Sequence, residues 1–201
     1  MTRIFPTLAS LSLMLFAVAA TLGLAIGDLY AKPVSQATLD WRGRHMLTGV
    51  AAALAVVLVE SIVVTYFIGT SRWCKEVTET YRLPPMDLRT STLLKRRTFP
   101  WCVLGMLTVV GVGALGAASD PGTGRPGTAS MADVHLMAAW AGLCIVAWTY
   151  YRAWTNIAAN QAVIHSIVSQ VARIRAERGL DLPDGAGANH QAAAASADYA
   201  N

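Results

Sequence analysis

The chain has 201 residues, of which 54% are hydrophobic and only 14% charged, and its formal net charge is +4. That is too apolar for an ordinary soluble domain, and the small positive excess calls for no nucleic-acid partner. Cys74, Cys102 and Cys144 show neither a Cys-x-x-Cys-His pattern nor zinc spacing, which excludes covalently attached haem and a structural zinc site.

Four apolar runs carry the excess, at residues 7–27, 46–69, 101–118 and 136–154. At a helical rise of ~1.5 Å per residue, each approaches the ~20 residues that cross a bilayer. The first run, with Arg3 before it and Ala17-Val18-Ala19-Ala20 within it, also has the features of a cleavable signal peptide. Two facts favour a span instead: the run continues to Ile26, and it has a counterpart at residues 97–120 that cannot be a leader.

An outer loop is expected over residues 28–44, before helix 2. Residues 70–99 then form a cytoplasmic segment that opens with a helical extension, 71–82, stopped by Pro84-Pro85. Helix 3 is expected from Trp101, with Pro100 in the headgroup layer. A Gly-, Pro-, Ser- and Thr-rich outer loop follows at 119–134. Helix 4 runs on past the membrane. Ile157, Ile164 and Val171 recur every seven residues, with Ile167 and Ile174 between them, giving an apolar stripe on a polar helix over 156–178. That stripe packs on the 71–82 extension, on the membrane surface or on a partner. Residues 184–201 are small and polar and are expected to be disordered; His190 lies among them and takes no role.

The order of landmarks repeats. Arg3-Ile4-Phe5-Pro6 leads to Asp28 and then His45, and Arg97-Thr98-Phe99-Pro100 leads to Asp120 and then His135. The reading is a two-helix unit used twice, at about residues 3–84 and 97–183. Both units start on the same side, unlike the inverted repeats of alternating-access transporters. Of the 16 Lys and Arg residues, only Lys32, Arg42, Arg44 and Arg125 fall on the opposite side. The positive-inside rule therefore places both termini in the cytoplasm, as in a multi-pass protein of a bacterial-type inner (plasma) membrane. The basic loop at 70–99 also suits anionic headgroups.

This topology puts His45 and His135 at one depth, on helices that lie diagonally in an up-down bundle. Small residues follow on the same faces: Gly49 and Ala52 below His45, Ala139 and Gly142 below His135. Gly23 and Gly27 thin helix 1 at that level, and Gly111, Gly113 and Gly116 thin helix 3. A flat macrocycle held by two axial imidazoles needs this pattern, and Arg42 and Arg44 stand one turn above to meet its propionates. The layout resembles that of b-type cytochromes, whose histidines on alternate membrane helices clamp haem with glycines beside them. The resemblance is architectural, and no family motif carries it. It implies a haem b cofactor with His45 and His135 as iron ligands. A copper or other metal site on the same histidines, with Asp40 or Asp133, is a variant of this reading. Glycine and alanine at membrane helix interfaces also serve plain packing, which is the competing explanation of the stripes.

Glu60 lies about 22 Å below His45 along helix 2, inside the hydrocarbon, where a carboxylate needs a partner. The repeat pairs it by spacing with Tyr150, which predicts a Glu60–Tyr150 hydrogen bond. A polar clasp between helices is the leading reading of Glu60, and a proton relay or the border of a quinone pocket is the functional alternative. His165 reads as an interfacial polar residue. Trp41, Trp73, Trp101, Trp154 and Tyr30 read as membrane-belt anchors.

The expected fold is all-α: a polytopic four-transmembrane-helix bundle from a tandem two-helix repeat, with a cytoplasmic C-terminal helix. The leading function is a membrane subunit, similar to a b-type cytochrome, that carries electrons near the outer face and works beside a protein partner or within a larger membrane complex. The alternative is a non-catalytic scaffold or assembly subunit that docks a partner through helix 156–178. No nucleophile or acid–base pair suggests a stand-alone enzyme.

Overall fold

A computed structural model describes residues 3–180. Four helices make the fold: α1 (Ile4–Leu24), α2 (Gln36–Tyr81), α3 (Met86–Ser119) and α4 (Thr128–Glu177), with a short 3-10 turn at Pro121–Thr123. All four are long and apolar enough to cross a membrane. At most 28% of the residues in any spanning window are buried inside the protein, so most of each apolar span faces outward, as suits a lipid environment. Leu47, Leu54, Leu107 and Met137 are large, apolar and mostly exposed on those faces.

Helices adjacent in the chain pack side by side, and α1 and α4 close the ring, so α2 and α4 face each other across a diagonal. The edge contact between the Phe5 and Tyr150 rings, 5.9 Å between centroids, marks where α1 begins beside α4. Past that level only α2, α3 and α4 continue, as a three-helix extension. One end of the bundle carries His45 and His135 (the histidine end), and the other, at the α2–α3 turn, carries most of the Lys and Arg (the basic end).

The helices are longer than the apolar runs. Ser35 caps α2 by accepting a hydrogen bond from the Thr38 N–H, so the helix starts at Gln36 and not near His45. Likewise α4 starts at Thr128 after Gly127, whose φ of 79° suits glycine. Both histidines therefore sit two to three turns inside their helices and not at the first turn. At the other end, α2 stops at Tyr81. Arg82 adopts a left-handed conformation, Leu83 N–H bonds back to Thr78 O at 3.0 Å, and two prolines follow. This is the stop expected from Pro84-Pro85.

Helix 3 departs from expectation. It begins at Met86, and Pro100 lies inside it. The polar stretch 86–97 looked like loop because it lacks an uninterrupted apolar run, yet it is one wall of the extension. Leu94 is buried, Leu88 is partly buried against the core, and Ser91 is fully buried. The apolar stripe of α4 completes that core: Ile157 and Ile167 are fully buried, with Ile164, Val171 and Ile174 packed against it. Cys74, Val77 and Tyr81 of α2 belong to the same cluster, so the stripe packs on the protein's own 71–82 segment. The tail 184–201, with His190, lies outside the described residues.

Candidate cofactor site

The register of α2 and α4 brings His45 and His135 together. Their ring centroids are 6.0 Å apart and their planes meet at 75°. His45 Nδ1 lies 2.9 Å from the Ala19 carbonyl oxygen of α1. A carbonyl only accepts, so Nδ1 donates its hydrogen and Nε2 keeps its lone pair free. His135 Nδ1 is buried without a hydrogen-bond partner.

A glycine of the neighbouring helix lies against each imidazole. A Cβ on Gly23 would stand 3.2 Å from His45 Cε1, and one on Gly116 would stand 3.0 Å from His135 Cε1. Any side chain at either position would push the ring it faces. Gly23 and Gly116 hold similar places on α1 and α3, so the two histidines share one kind of environment.

Between the helices at this level lies a cavity of about 740 Å³, within the range of small-molecule and cofactor sites. His45, His135, Gly23, Gly27, Gly49, Gly113, Gly116 and Arg42 line it, with Phe16, Ala52, Val109 and Ala139 on its apolar floor and walls. Two expected residues lie elsewhere. Gly142 is packed among Val112, Thr108 and Phe16, where its lack of a side chain lets α3 and α4 approach. Arg44 stacks over the Trp41 ring, 5.1 Å from its centroid.

Arg42 is held at the mouth. Its Nη2 meets Asp120 Oδ1 at 2.7 Å and Oδ2 at 2.6 Å, while Arg42 Nε is buried and unbonded. Partial burial alone would raise the Asp120 carboxyl. The Arg42 guanidinium and the Gly122 N–H outweigh that and hold it below the usual carboxylate range.

Tyr30 was expected to be a belt anchor. It lines the cavity, and its hydroxyl donates to Ser119 O at 3.3 Å or to Thr128 Oγ1 at 3.2 Å, tying the α1–α2 connection to the α3–α4 connection. Asp28 and Asp120 each accept a hydrogen bond from the backbone N–H two residues on, at Tyr30 and Gly122. Their matched positions mark two similar turns at the mouth, and an Asp ending each apolar run is the signal for them.

Glu60 does not pair with Tyr150. Thr149 donates to Glu60 Oε1 at 2.8 Å, and Tyr150 instead shares a hydrogen bond with Ser12 at 3.0 Å. Consecutive positions on a helix point about 100° apart, so a small rotation of α4 exchanges Tyr150 for Thr149. His165 is exposed.

Among the described residues no group of three or more His, Cys, Asp or Glu side chains is placed to hold a metal ion. The site offers two imidazoles, small residues and an arginine. No family model, no curated protein and no solved structure matches this chain.

Proposed function

We propose that the chain is a haem-bearing membrane subunit, similar in layout to a b-type cytochrome, that carries electrons at the histidine end. The observation that supports this most directly is the His45–His135 pair across a cavity walled by glycines. Two metal–nitrogen bonds of ~2 Å each, plus two half-rings, give a centroid separation of about 6 Å, and the rings stand 6.0 Å apart. The residues fit the group in three further ways. The His45 tautomer leaves Nε2 free, as a ligating histidine requires. Gly23 and Gly116 are cradles that a Cβ would fill. Arg42 Nε is a buried donor still lacking an acceptor, of the kind a propionate supplies.

Haem bound there would supply reversible one-electron chemistry. The rest belongs to this chain. His45 and His135 would hold the iron, Ala19 O orients His45, and the apolar floor would exclude water. On this reading the chain is a tandem repeat of a two-helix unit. Both termini are cytoplasmic, by the distribution of Lys and Arg, and the site lies toward the outer face of a bacterial-type inner membrane. A redox partner or larger complex would receive the electron. The scaffold alternative has less support, because the apolar stripe of α4 that it would use for docking is buried against α2 and α3.

The test is a dithionite-reduced minus oxidised spectrum of detergent-purified protein from haem-replete cells. Sharp haem bands that disappear in His45→Ala and in His135→Ala are expected. A folded, colourless wild-type protein would sink the proposal.

A further inference from the structure

Among the described residues, Glu60 is the one charged-type residue with a fully buried side chain. It sits in the basic-end half of the membrane-spanning part, about 22 Å along α2 from His45. Its Oε1 accepts from Thr149, and its Oε2 is buried without a hydrogen bond from any oxygen or nitrogen donor, the Cys102 thiol being the one further donor beside the carboxyl. Three neighbours from the other helices face this level: Ser12 of α1, Cys102 of α3 and Tyr150 of α4. No lysine, arginine or histidine is among them. A carboxylate in hydrocarbon without a cation or enough donors is very costly, whereas a carboxylic acid needs only a place for its proton. The bare Oε2 is that place.

The buried surroundings of Glu60 differ along the bundle. Toward the histidine end stand Phe16, Val56, Val109 and Val146, all buried and apolar. Toward the basic end Val63, Ala153 and Phe67 are buried and apolar as well, but buried polar side chains stand among them. Asn156 donates to Thr98 at 2.9 Å. About one turn on, Asn160 accepts from Ser91 at 3.1 Å and donates to Thr70 and Tyr66. Gln161 adds a bond to Tyr66 at the edge of this cluster.

We propose that Glu60 is a proton-binding site, a protonated carboxyl inside the bundle that exchanges its proton with the basic end through the Thr98–Asn156 and Asn160 clusters and not through the cavity. The proposal does not rest on haem: the group bound is a proton, and the side of access follows from which neighbours are polar. The step is a plain transfer, with the proton leaving Oε2 for a hydroxyl or water on the ladder side and returning the same way.

Infrared spectroscopy of the full chain in detergent tests it. At pH 7 the wild type should show a carboxylic-acid C=O band that shifts in D2O and is missing from Glu60→Gln. A wild type without the band, or a band that survives in Glu60→Gln, overturns the proposal. The rate of the D2O shift reads the route. Thr98→Val, which keeps the shape of the side chain, and Asn156→Leu should each slow it about tenfold, roughly the cost of one lost buried hydrogen bond. Exchange as fast as wild type in both folded variants overturns access from the basic end.

Discussion

At the basic end Asn160 is fully buried and bonds through both its oxygen and its nitrogen to side chains of α2 and α3. At the histidine end His135 Nδ1 and Arg42 Nε are buried without a well-formed hydrogen bond, as are Thr78 Oγ1 and Arg152 Nε toward the basic end. Large side chains fill the first region, where Phe67, Ile157 and Ile167 have no exposed surface. Glycine and alanine surround about 740 Å³ of space in the second. The bundle is therefore filled by large side chains at one end and open at the other. Packing for its own sake does not leave such a gap, since interiors close to the density of organic crystals. The difference teaches that the two ends answer to different demands: the basic end holds the helices in register, and that register sets the two imidazoles at one level.

After loss of either histidine, the largest effect expected is from Gly116→Leu. The new side chain must displace the His135 ring, and on the proposed reading the haem retained through purification should fall about 10- to 100-fold. Gly43→Ala is the control, because nothing lies within 4 Å of that position, and it should be silent. Equal haem retention in the two variants would break the comparison between a shaped site and a passive gap.

Asn160→Leu should act on the other region alone. It takes the acceptor from the Ser91 hydroxyl and a donor from Thr70 and Tyr66, which keep their bonds to the Tyr66 carbonyl and to Gln161, and is expected to cost about 1–3 kcal/mol of stability, with haem content per folded protein unchanged. Gly49→Ala should have the opposite sign. Its Cβ would enter open space beside the cavity, so gain in helix propensity dominates and the cofactor-free protein should be stabilised by about 0.5–1 kcal/mol. Thermal unfolding in detergent reads both. A loss of stability in Gly49→Ala would mean that the cavity is packed more tightly than its walls indicate.

The elements legible in the sequence were those set by a strong period or by punctuation. The four apolar spans, the stop at Pro84-Pro85, the continuation of α4 and the matched depth of His45 and His135 all follow from run length, proline and helical rise. What escaped was set by contacts with no local period. The stretch 86–97 is charged on one face and pairs its buried face with α2 and α4, so only tertiary packing declares it a helix. Tyr30 has the ring of a belt residue, and its hydrogen bonds depend on where the α3–α4 connection passes. Glu60 was rightly seen to need a partner, but the choice between Thr149 and Tyr150 depends on the rotation of α4 about its axis. Depth was readable to within a turn, and azimuth was not.

The smallest expected effect concerns the Arg42–Asp120 pair at the mouth. Asp120 is held below the usual carboxylate range in the folded protein, so folding favours its ionised form. The stability this adds is complete above the ordinary carboxylate range and is lost as the pH falls through the lowered value. Both side chains keep part of their surface in solvent, so the pair should contribute no more than about 1 kcal/mol. Asp120→Asn should remove it, flattening the acid limb of the thermal midpoint while leaving the midpoint at pH 8 only slightly lower. The two ends then separate by pH as well as by packing. The Asn160 cluster contains no group that titrates between pH 3 and 7, so an Asn160→Leu protein should keep the acid limb of the wild type. An acid limb that persists unchanged in Asp120→Asn would place the titrating group elsewhere and remove Arg42–Asp120 as the fastening of the mouth.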